Sequence, residues 1–595
     1  MPTDFLRIFA LVKDYRWRFI VSQFAMAIAA MATVFFATLI SALVDDGMVA
    51  GDQDAALSIG LQMILLALLM GAAMAIAASQ AVFFSQGAAF LIRRRLYDRL
   101  QGYSFENFDH RPTSQLMVRL NADAVNIQNA VMYAIMLGSF APFILLTTLV
   151  LAIINTPQLV WVLVIVIVLV VAIMALFVPA ISRSYDERQE RLDDMGNTLQ
   201  ENLSGISVVK AFVREKLEIE KFTRNAAAIR APDFQAAWRV AFMAPLLTGL
   251  GQLAIIIGMW TGGRNVLGGG DMTVGDVSTF TQYLSLTVAP LALVALVLPL
   301  VLRGDVSARR IFDAYEAEPT VVDRDGVEPV ESDALAGRIR FENVSFAFRR
   351  ADGTFDPPAL RNIDLTIEPG QRVGFLGATG AGKSALVNLI PRFYDVTEGR
   401  ITIDGVDVRD IPLAQLRKIV GIALQEAVLF KSPLRPNLKF GAPDVEDSVM
   451  FEASRAADSY GFIDNLPEKW NAPVARRGYN FSGGQRQRLS ITRALTTKPT
   501  VLILDDSTSA LDASTEGRVQ AAIPGFVDGA TTIYVAQRIS AVIDLDHIYL
   551  LQDGEILAEG THEQLMASSG LYREIYESQL GGGVIAGIDM EGASS

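Results

Sequence analysis

Long apolar runs crowd the first half of the chain, and short alternating ones fill the second. Six segments, roughly 18–43, 57–83, 130–154, 158–180, 240–262 and 276–302, are almost free of charge. Each reaches the roughly 20 mostly apolar residues that a helix needs to cross a bilayer. The run from Trp161 to Val178, WVLVIVIVLVVAIMALFV, is nearly solid aliphatic. The stretches 84–129 and 181–239 are charged and poor in Gly and Pro. They predict membrane helices that continue well beyond the bilayer and end in short turns. Near those turns, Pro112–Leu120 and Gly205–Phe212 are candidate docking segments, the second carrying the apolar set Ile206, Val208, Val209 and Phe212. After about Arg303 the pattern changes. An acidic, turn-rich connection leads at Arg338 into RIRFENVSFAFRR, and short β-branched runs then alternate with helical stretches to about Leu580, as in an α/β domain. The predicted organisation is a membrane domain over 1–302, a linker over 303–337, an α/β domain over 338–580 and a flexible tail over 581–595.

Charge orients the membrane part. Arg7, Lys13, Arg16 and Arg18 precede the first span, whereas the first loop has Asp45, Asp46, Asp52 and Asp54 and no basic residue. The 84–129 stretch is again rich in arginine, the next hairpin is uncharged, and the pattern repeats. Basic loops stay in the cytoplasm, so both termini are expected there, in a multi-pass protein of the cell (inner or plasma) membrane. No removable signal peptide is expected, because MPTDFLRIFALVKDYRWRF lacks an apolar core ending in a small-residue cleavage site. A formal net charge of −13 argues against nucleic acid as a partner. The chain has no cysteine, which excludes disulfides, cysteine-ligated zinc, iron–sulfur clusters and thiol chemistry. Gln252, Gln282, Tyr283 and Ser285 interrupt the apolar spans, either lining a cavity or bonding helix to helix. Met26, Met31, Met70, Met74, Met136 and Met243 either line an adaptable surface or fill space in the membrane.

The chemistry sits in the second half. Gly377-Ala378-Thr379-Gly380-Ala381-Gly382-Lys383-Ser384 fits the phosphate-loop pattern GxxxxGK[ST], with a strand-like run before it and a helix-like run after it. Glycines let backbone N–H groups wrap phosphates at a helix start; Lys383 offers charge to the β- and γ-phosphates and the Ser384 hydroxyl a ligand to Mg²⁺. Val501–Asp505 is an apolar strand ending in a carboxylate. Buried beside the phosphate-loop strand, it would bring Asp505 to the Mg²⁺ shell.

Phe481-Ser482-Gly483-Gly484-Gln485 resembles the LSGGQ signature of ATP-binding cassette proteins, and it precedes Asp505 as in that family. With six spans ahead of it, the chain resembles the exporter branch: an all-α six-helix transmembrane domain followed by an α/β nucleotide-binding domain. HRPTSQLMVRLNADA, GISVVKAFVRE and MTVGDVSTFTQYLS are similar to that branch's loops and last span. The resemblance implies ATP and Mg²⁺ as cofactors, with Phe348 stacking on adenine and Thr379, Gly380, Ala381, Gly382, Lys383, Ser384 and Ala385 around the phosphates. It also implies Gln425 and Asp505 with Ser384 at the Mg²⁺, and Asp512 in the loop crossing between cassettes. Two cassettes close head to tail in this family, so Ser482, Gly484 and Gln485 would meet the partner chain's nucleotide.

Three positions depart from the family pattern. Asp506 stands where the family has the catalytic glutamate, one methylene shorter than a base that must come within about 2.6–3.2 Å of the proton it takes. Gln537 stands where the family has histidine, and an amide can neither titrate nor carry charge. Arg476 reverses a charge in the segment before the signature. With phosphate loop and SGGQ retained, this resembles the degenerate half of a heterodimeric exporter. In that reading the second half-transporter carries the catalytic Glu and His, and this chain alone hydrolyses ATP weakly or not at all. Nearly charge-free spans point to hydrophobic or amphipathic cargo, such as drugs or lipids, taken from the bilayer. The alternatives are a slow homodimer using Asp506 at both sites, a siderophore-type importer, or an ATP-gated channel on the same scaffold.

Overall fold

A computed structural model of the chain describes residues 3–331 and 335–581. They form two compact units, Met1–Gln101 with Thr113–Ala317, and Gly102–Pro112 with Glu318–Ser595. The predicted tail lies outside the described residues except for Gly581.

The first unit is helical throughout, as it must be where no water is present to satisfy backbone N–H and C=O groups. Among the described residues five helical stretches are long and apolar enough to cross a membrane: Lys13–Val49, Gln53–Gln101, Thr113–Asn155, Pro157–Ser204 and Glu215–Leu267. The sixth predicted span lies inside one continuous helix, Val274–Glu316. The helix Gln53–Gln101 has 49 residues; at about 1.5 Å rise per residue it measures roughly 74 Å, more than twice the ~30 Å hydrocarbon core.

The last helix corrects the domain boundary expected at residue 302. Its sequence keeps helical spacing beyond that point, with Ser307, Ala308, Ile311 and Phe312 buried, and the helix ends only at Glu316. Small residues let helices approach closely: Ser22, Ala25, Ala29, Ala77 and Ala81 are buried, and the Ser22 hydroxyl donates to the Ala77 carbonyl at 2.9 Å. Tyr283 is fully buried; its hydroxyl lies 3.3 Å from Thr38 Oγ1 and accepts from Asn155 Nδ2 at 3.1 Å. This polar residue ties three helical segments together. Gln252, Gln282 and Ser285 are exposed. Met26 and Met243 are buried, whereas Met31 and Met74 are exposed.

The second unit carries two sheets. β1 (Ile339–Phe346), β2 (Leu360–Ile367), β4 (Glu398–Ile403) and β5 (Val406–Asp407) form an antiparallel sheet in the order β2-β1-β4-β5. The larger sheet runs β10-β9-β3-β8-β7-β6 and comprises β3 (Arg372–Leu376), β6 (Val420–Ala423), β7 (Val501–Asp505), β8 (Thr531–Ala536), β9 (His547–Gln552) and β10 (Glu555–Gly560). β9, β3, β8, β7 and β6 are parallel neighbours, and β10 is antiparallel. β7 and β8 are buried at every position, which is why both read as continuous apolar runs. A separate helical cluster packs Leu429, Leu434, Met450, Ile463, Trp470, Phe481 and Leu489.

The first loop segment belongs to the second unit through residues slightly upstream of those predicted. Pro112–Leu120 was the expected docking segment; the segment grouped with the second unit is Gly102–Pro112, while Thr113–Val118 falls in the first. Phe105 stacks on Phe393 with centroids 4.3 Å apart, and Asp109 accepts from the Tyr394 hydroxyl at 2.8 Å. Asn107 donates to the Glu318 carbonyl at 3.0 Å, and Ser104 accepts from the Val321 N–H at 2.9 Å. Aromatic stacking and backbone capping hold this contact, features that a scan for apolar runs passes over. In the other segment Val208 and Phe212 are 58% and 72% exposed, and Val213 just after it is 78% exposed.

Candidate functional site

β3 ends at Leu376, and the chain turns through the phosphate-loop motif into the helix Lys383–Leu389. Gly382 sits in the left-handed region at φ 98°, and a Cβ there would come within 2.7 Å of the Ala359 carbonyl oxygen. Only glycine fits both demands. Lys383 is buried, with Nζ donating to the Gly377 and Ala378 carbonyls at 2.7 and 2.9 Å. Burial pushes its ammonium pKa down, while the carboxylates of Asp506 and Asp505 pull it back up. An ammonium held on loop carbonyls at this depth is poised for an incoming polyanion.

Asp505 closes β7 and is 4% exposed; Oδ1 accepts from the Ser384 hydroxyl at 3.2 Å. The expected adjacency of the two strands is corrected by the sheet order, because β8 lies between β3 and β7. All three are parallel and end on one edge, so the loop after β3 reaches over β8 to meet the end of β7. Burial raises the Asp505 carboxyl pKa. A hydroxyl and a desolvated carboxylate side by side fit a hard divalent cation, whose charge would offset that desolvation.

The next residue faces a different environment. Asp506 adopts φ 46°, its N–H donates to the Val535 carbonyl at 3.0 Å, and its Oδ2 accepts from Gln425 Nε2 at 3.3 Å. Burial raises its pKa, opposed by the charges of Lys383 and Arg538 and by the Gln425 bond. After β8, Gln537 Oε1 accepts from Thr379 Oγ1 at 3.2 Å. Thr379, Lys383, Ser384, Gln425, Asp505, Asp506 and Gln537 thus converge at the carboxyl ends of β3, β7 and β8, where parallel sheets present ligand sites.

Phe348 stands apart, 37% exposed, edge-on to Phe346 at 4.8 Å and to Tyr394 at 5.5 Å. It lines a cavity of about 840 Å³ together with Arg349, Phe355, Tyr394 and Asp109. Ala381 and Ala385 are buried in the core behind the loop.

The signature residues serve the start of their own helix, Gly483–Thr496. Ser482 Oγ accepts from the Gln485 N–H at 3.2 Å and Gln485 Oε1 accepts from the Ser482 N–H at 2.9 Å, a reciprocal cap. Among the described residues no hydrogen bond joins Ser482, Gly484 or Gln485 to the phosphate loop. Asp512 caps the helix Ala513–Phe526, accepting from the Ser514 and Thr515 hydroxyls at 2.6 and 2.8 Å and from the Thr515 N–H at 2.9 Å; these bonds hold its carboxyl below the usual carboxylate range. Arg476 begins a short turn closed by Asn480, whose Oδ1 accepts from the Ala475 N–H at 2.9 Å.

Gln487 is a site residue that motif reasoning left without a role. Its Nε2 donates to Ser509 Oγ at 3.1 Å and its Oε1 accepts from the Ala510 N–H at 2.9 Å, binding the signature helix to the loop after Asp506. The only trace in the sequence is a second glutamine two residues after the motif's own.

Both units have counterparts among known proteins. Residues 19–291 match the model of the ABC transporter transmembrane region, and residues 360–509 match the ABC transporter model. The chain is 34% identical over 575 residues to the ATP-dependent lipid A-core flippase of Syntrophus aciditrophicus (strain SB), covering 97% of this chain and 94% of that one. It is 33% identical over 543 residues to the ABC transporter ATP-binding protein YfiB of Bacillus subtilis (strain 168), covering 91% and 93% of the two chains. The structure of a bacterial Atm1-family ABC exporter with ATP bound superposes with a TM-score of 0.79 over 95% of this chain and 98% of that one; at 24% identity this likeness speaks for the fold.

Proposed function

The chain belongs to the ABC transporters, with a membrane domain preceding its ATPase domain, and on that premise we propose that it is the degenerate-site subunit of a heterodimeric exporter. Its own nucleotide site binds ATP more than it hydrolyses it. Phe348 offers a stacking face for adenine, Thr379–Ala385 surround the phosphates, and Ser384, Gln425 and Asp505 hold the metal. When bound, Mg²⁺ supplies charge neutralisation for the β- and γ-oxygens. Lys383 would leave the Gly377 and Ala378 carbonyls for the phosphates, and buried Asp505 would keep the Ser384 hydroxyl oriented.

The observation that carries the reading is the pairing of Asp506 and Gln537 around one phosphate loop. Asp506 has the shorter carboxylate and is already engaged by Gln425 at 3.3 Å. Gln537 offers Thr379 an amide oxygen where the family has a titratable ring. A reactive group misplaced by about 1 Å can cost on the order of a hundredfold in rate. Ser482, Gly484 and Gln485 would then complete the site of a second chain carrying Glu and His. The exposed side chains of Val208, Phe212 and Val213 leave surface for such a subunit. Both termini lie on the cytoplasmic side, and the relative named as a lipid A-core flippase supports an amphipathic lipid or drug as cargo.

The test is steady-state ATPase of this chain purified alone and with the product of a neighbouring reading frame. Turnover confined to the mixed complex is expected. Robust turnover of the chain alone, abolished by Asp506→Ala, would overturn the reading. A slow homodimer is the second reading, and one observation favours it: desolvation makes Asp506 a better proton acceptor than an exposed aspartate.

A further inference from the structure

The end of the described chain reaches back to the turn that follows β8. Gln579 lies in the last helical turn, Glu577–Gly581, on an exposed surface, yet both ends of its amide are engaged. Oε1 accepts from the Ile539 N–H at 2.8 Å, and Nε2 donates to the Gln537 carbonyl at 3.1 Å. The two contacts bracket Gln537 and Arg538 from one side chain. A primary amide is among the few groups that offer a donor and an acceptor at once. Its orientation here follows from its partners, since one is a backbone N–H and the other a backbone C=O.

The clamp is anchored at both ends. Ile539 is fully buried in the same core as Tyr572, with Ile575 and Tyr576 packed against it. The Tyr572 hydroxyl lies 2.8 Å from His562 Nδ1, which fixes the helix Gly570–Tyr576 immediately before Gln579. Gln520 Nε2 donates to the Ala541 carbonyl at 3.0 Å and holds the far side of the turn Ile539–Ala541. The Gln537 side chain, between these fixed points, meets Thr379 of the phosphate loop.

We propose that Gln579 is a positioning residue of the nucleotide site. By holding the Gln537 carbonyl and the Ile539 N–H it aims the Gln537 side chain at the phosphate loop, and so sets how strongly this site distinguishes ATP from ADP. The inference rests on the proposed function and adds to it that Gln537, at the family's histidine position and bonded to Thr379 of the phosphate loop, lies beside the terminal phosphate. ADP lacks that phosphate, so the clamp acts on ATP alone, whereas general damage to the domain would weaken both nucleotides.

The experiment is equilibrium binding of ATPγS and of ADP, each with Mg²⁺, to the full-length chain in lipid nanodiscs. Wild type is compared with Gln579→Ala, Gln579→Glu and Gln537→Ala. Gln579→Ala is expected to weaken ATPγS about fivefold, the loss of one or two neutral hydrogen bonds, with ADP unchanged. Gln579→Glu keeps the acceptor for Ile539 and loses the donor to Gln537, so it falls between. If Gln537→Ala lowers ATPγS binding selectively while Gln579→Ala changes neither nucleotide, or both equally, the clamp is overturned and the reading of Gln537 stands. If Gln537→Ala leaves the ratio of the two affinities unchanged, both are overturned.

Discussion

Asp505 and Asp506 are adjacent in sequence and belong to two differently built halves of one site. Asp505 ends a buried parallel strand, and its carboxylate meets the Ser384 hydroxyl at 3.2 Å. Asp506 has already left the strand with φ 46°, and its carboxylate points to Gln425. The first half is anchored by regular structure and carries the residues that the proposed function assigns to phosphate and metal. The second half depends on loop residues, Asp506 and Gln537, where that proposal has the family's chemistry replaced. Holding a nucleotide needs fixed charge and backbone geometry, whereas cleaving it needs a base at the right distance. The two requirements are separable because different stretches of chain meet them.

The largest effect is expected at Asp506 and Gln537. Asp506→Glu with Gln537→His should raise the ATPase rate of this chain alone on the order of a hundredfold, read by phosphate release; an unchanged rate means that the altered half is not what limits hydrolysis. The retained half is probed by Lys383→Ala, which removes a charged donor and should weaken MgATP binding by roughly thirtyfold, measured by titration calorimetry. Unaltered affinity would deny the phosphate loop its role. Beside the site, Gln487 ties the signature helix to the loop after Asp506, and Gln487→Ala should lower the local opening free energy of the helix Gly483–Thr496 by ~1 kcal/mol, visible in hydrogen exchange. The smallest effect is expected far from the nucleotide. Tyr283→Phe removes the hydroxyl shared by Thr38 and Asn155 and should cost about 0.6 kcal/mol of stability, with transport retained; loss of transport at unchanged stability would return Tyr283 to the cargo path.

Much of the fold was legible because it follows from local pattern. The apolar runs announced the membrane helices, and alternation after Arg338 announced β1. The phosphate loop was legible because its glycines answer a backbone demand: Gly382 combines positive φ with a carbonyl 2.7 Å from where a Cβ would lie. The end of the last membrane helix was missed because Arg303–Glu316 exchanges bulk hydrophobicity for helical spacing, and a hydropathy reading stops where the charges begin. Gln487 gave only the faint trace of a second glutamine after the motif, and Gln579 gave no signal. A glutamine, buried like Gln487 or exposed like Gln579, carries no mark of its partner, and both find theirs in loops elsewhere along the chain.

What the sequence determined by itself is the family, the order of the two domains and the identity of the residues at the end of each strand. The family follows from the resemblance of short motifs, and the rest from hydrophobic periodicity, each confined to a few dozen residues. Only the tertiary structure decided that β8 separates β3 from β7, that Gly102–Pro112 rather than the residues after it joins the second unit, and that Gln537 reaches Thr379. Strand order and long-range hydrogen bonds depend on which surfaces bury together, and that choice is made by the whole core at once.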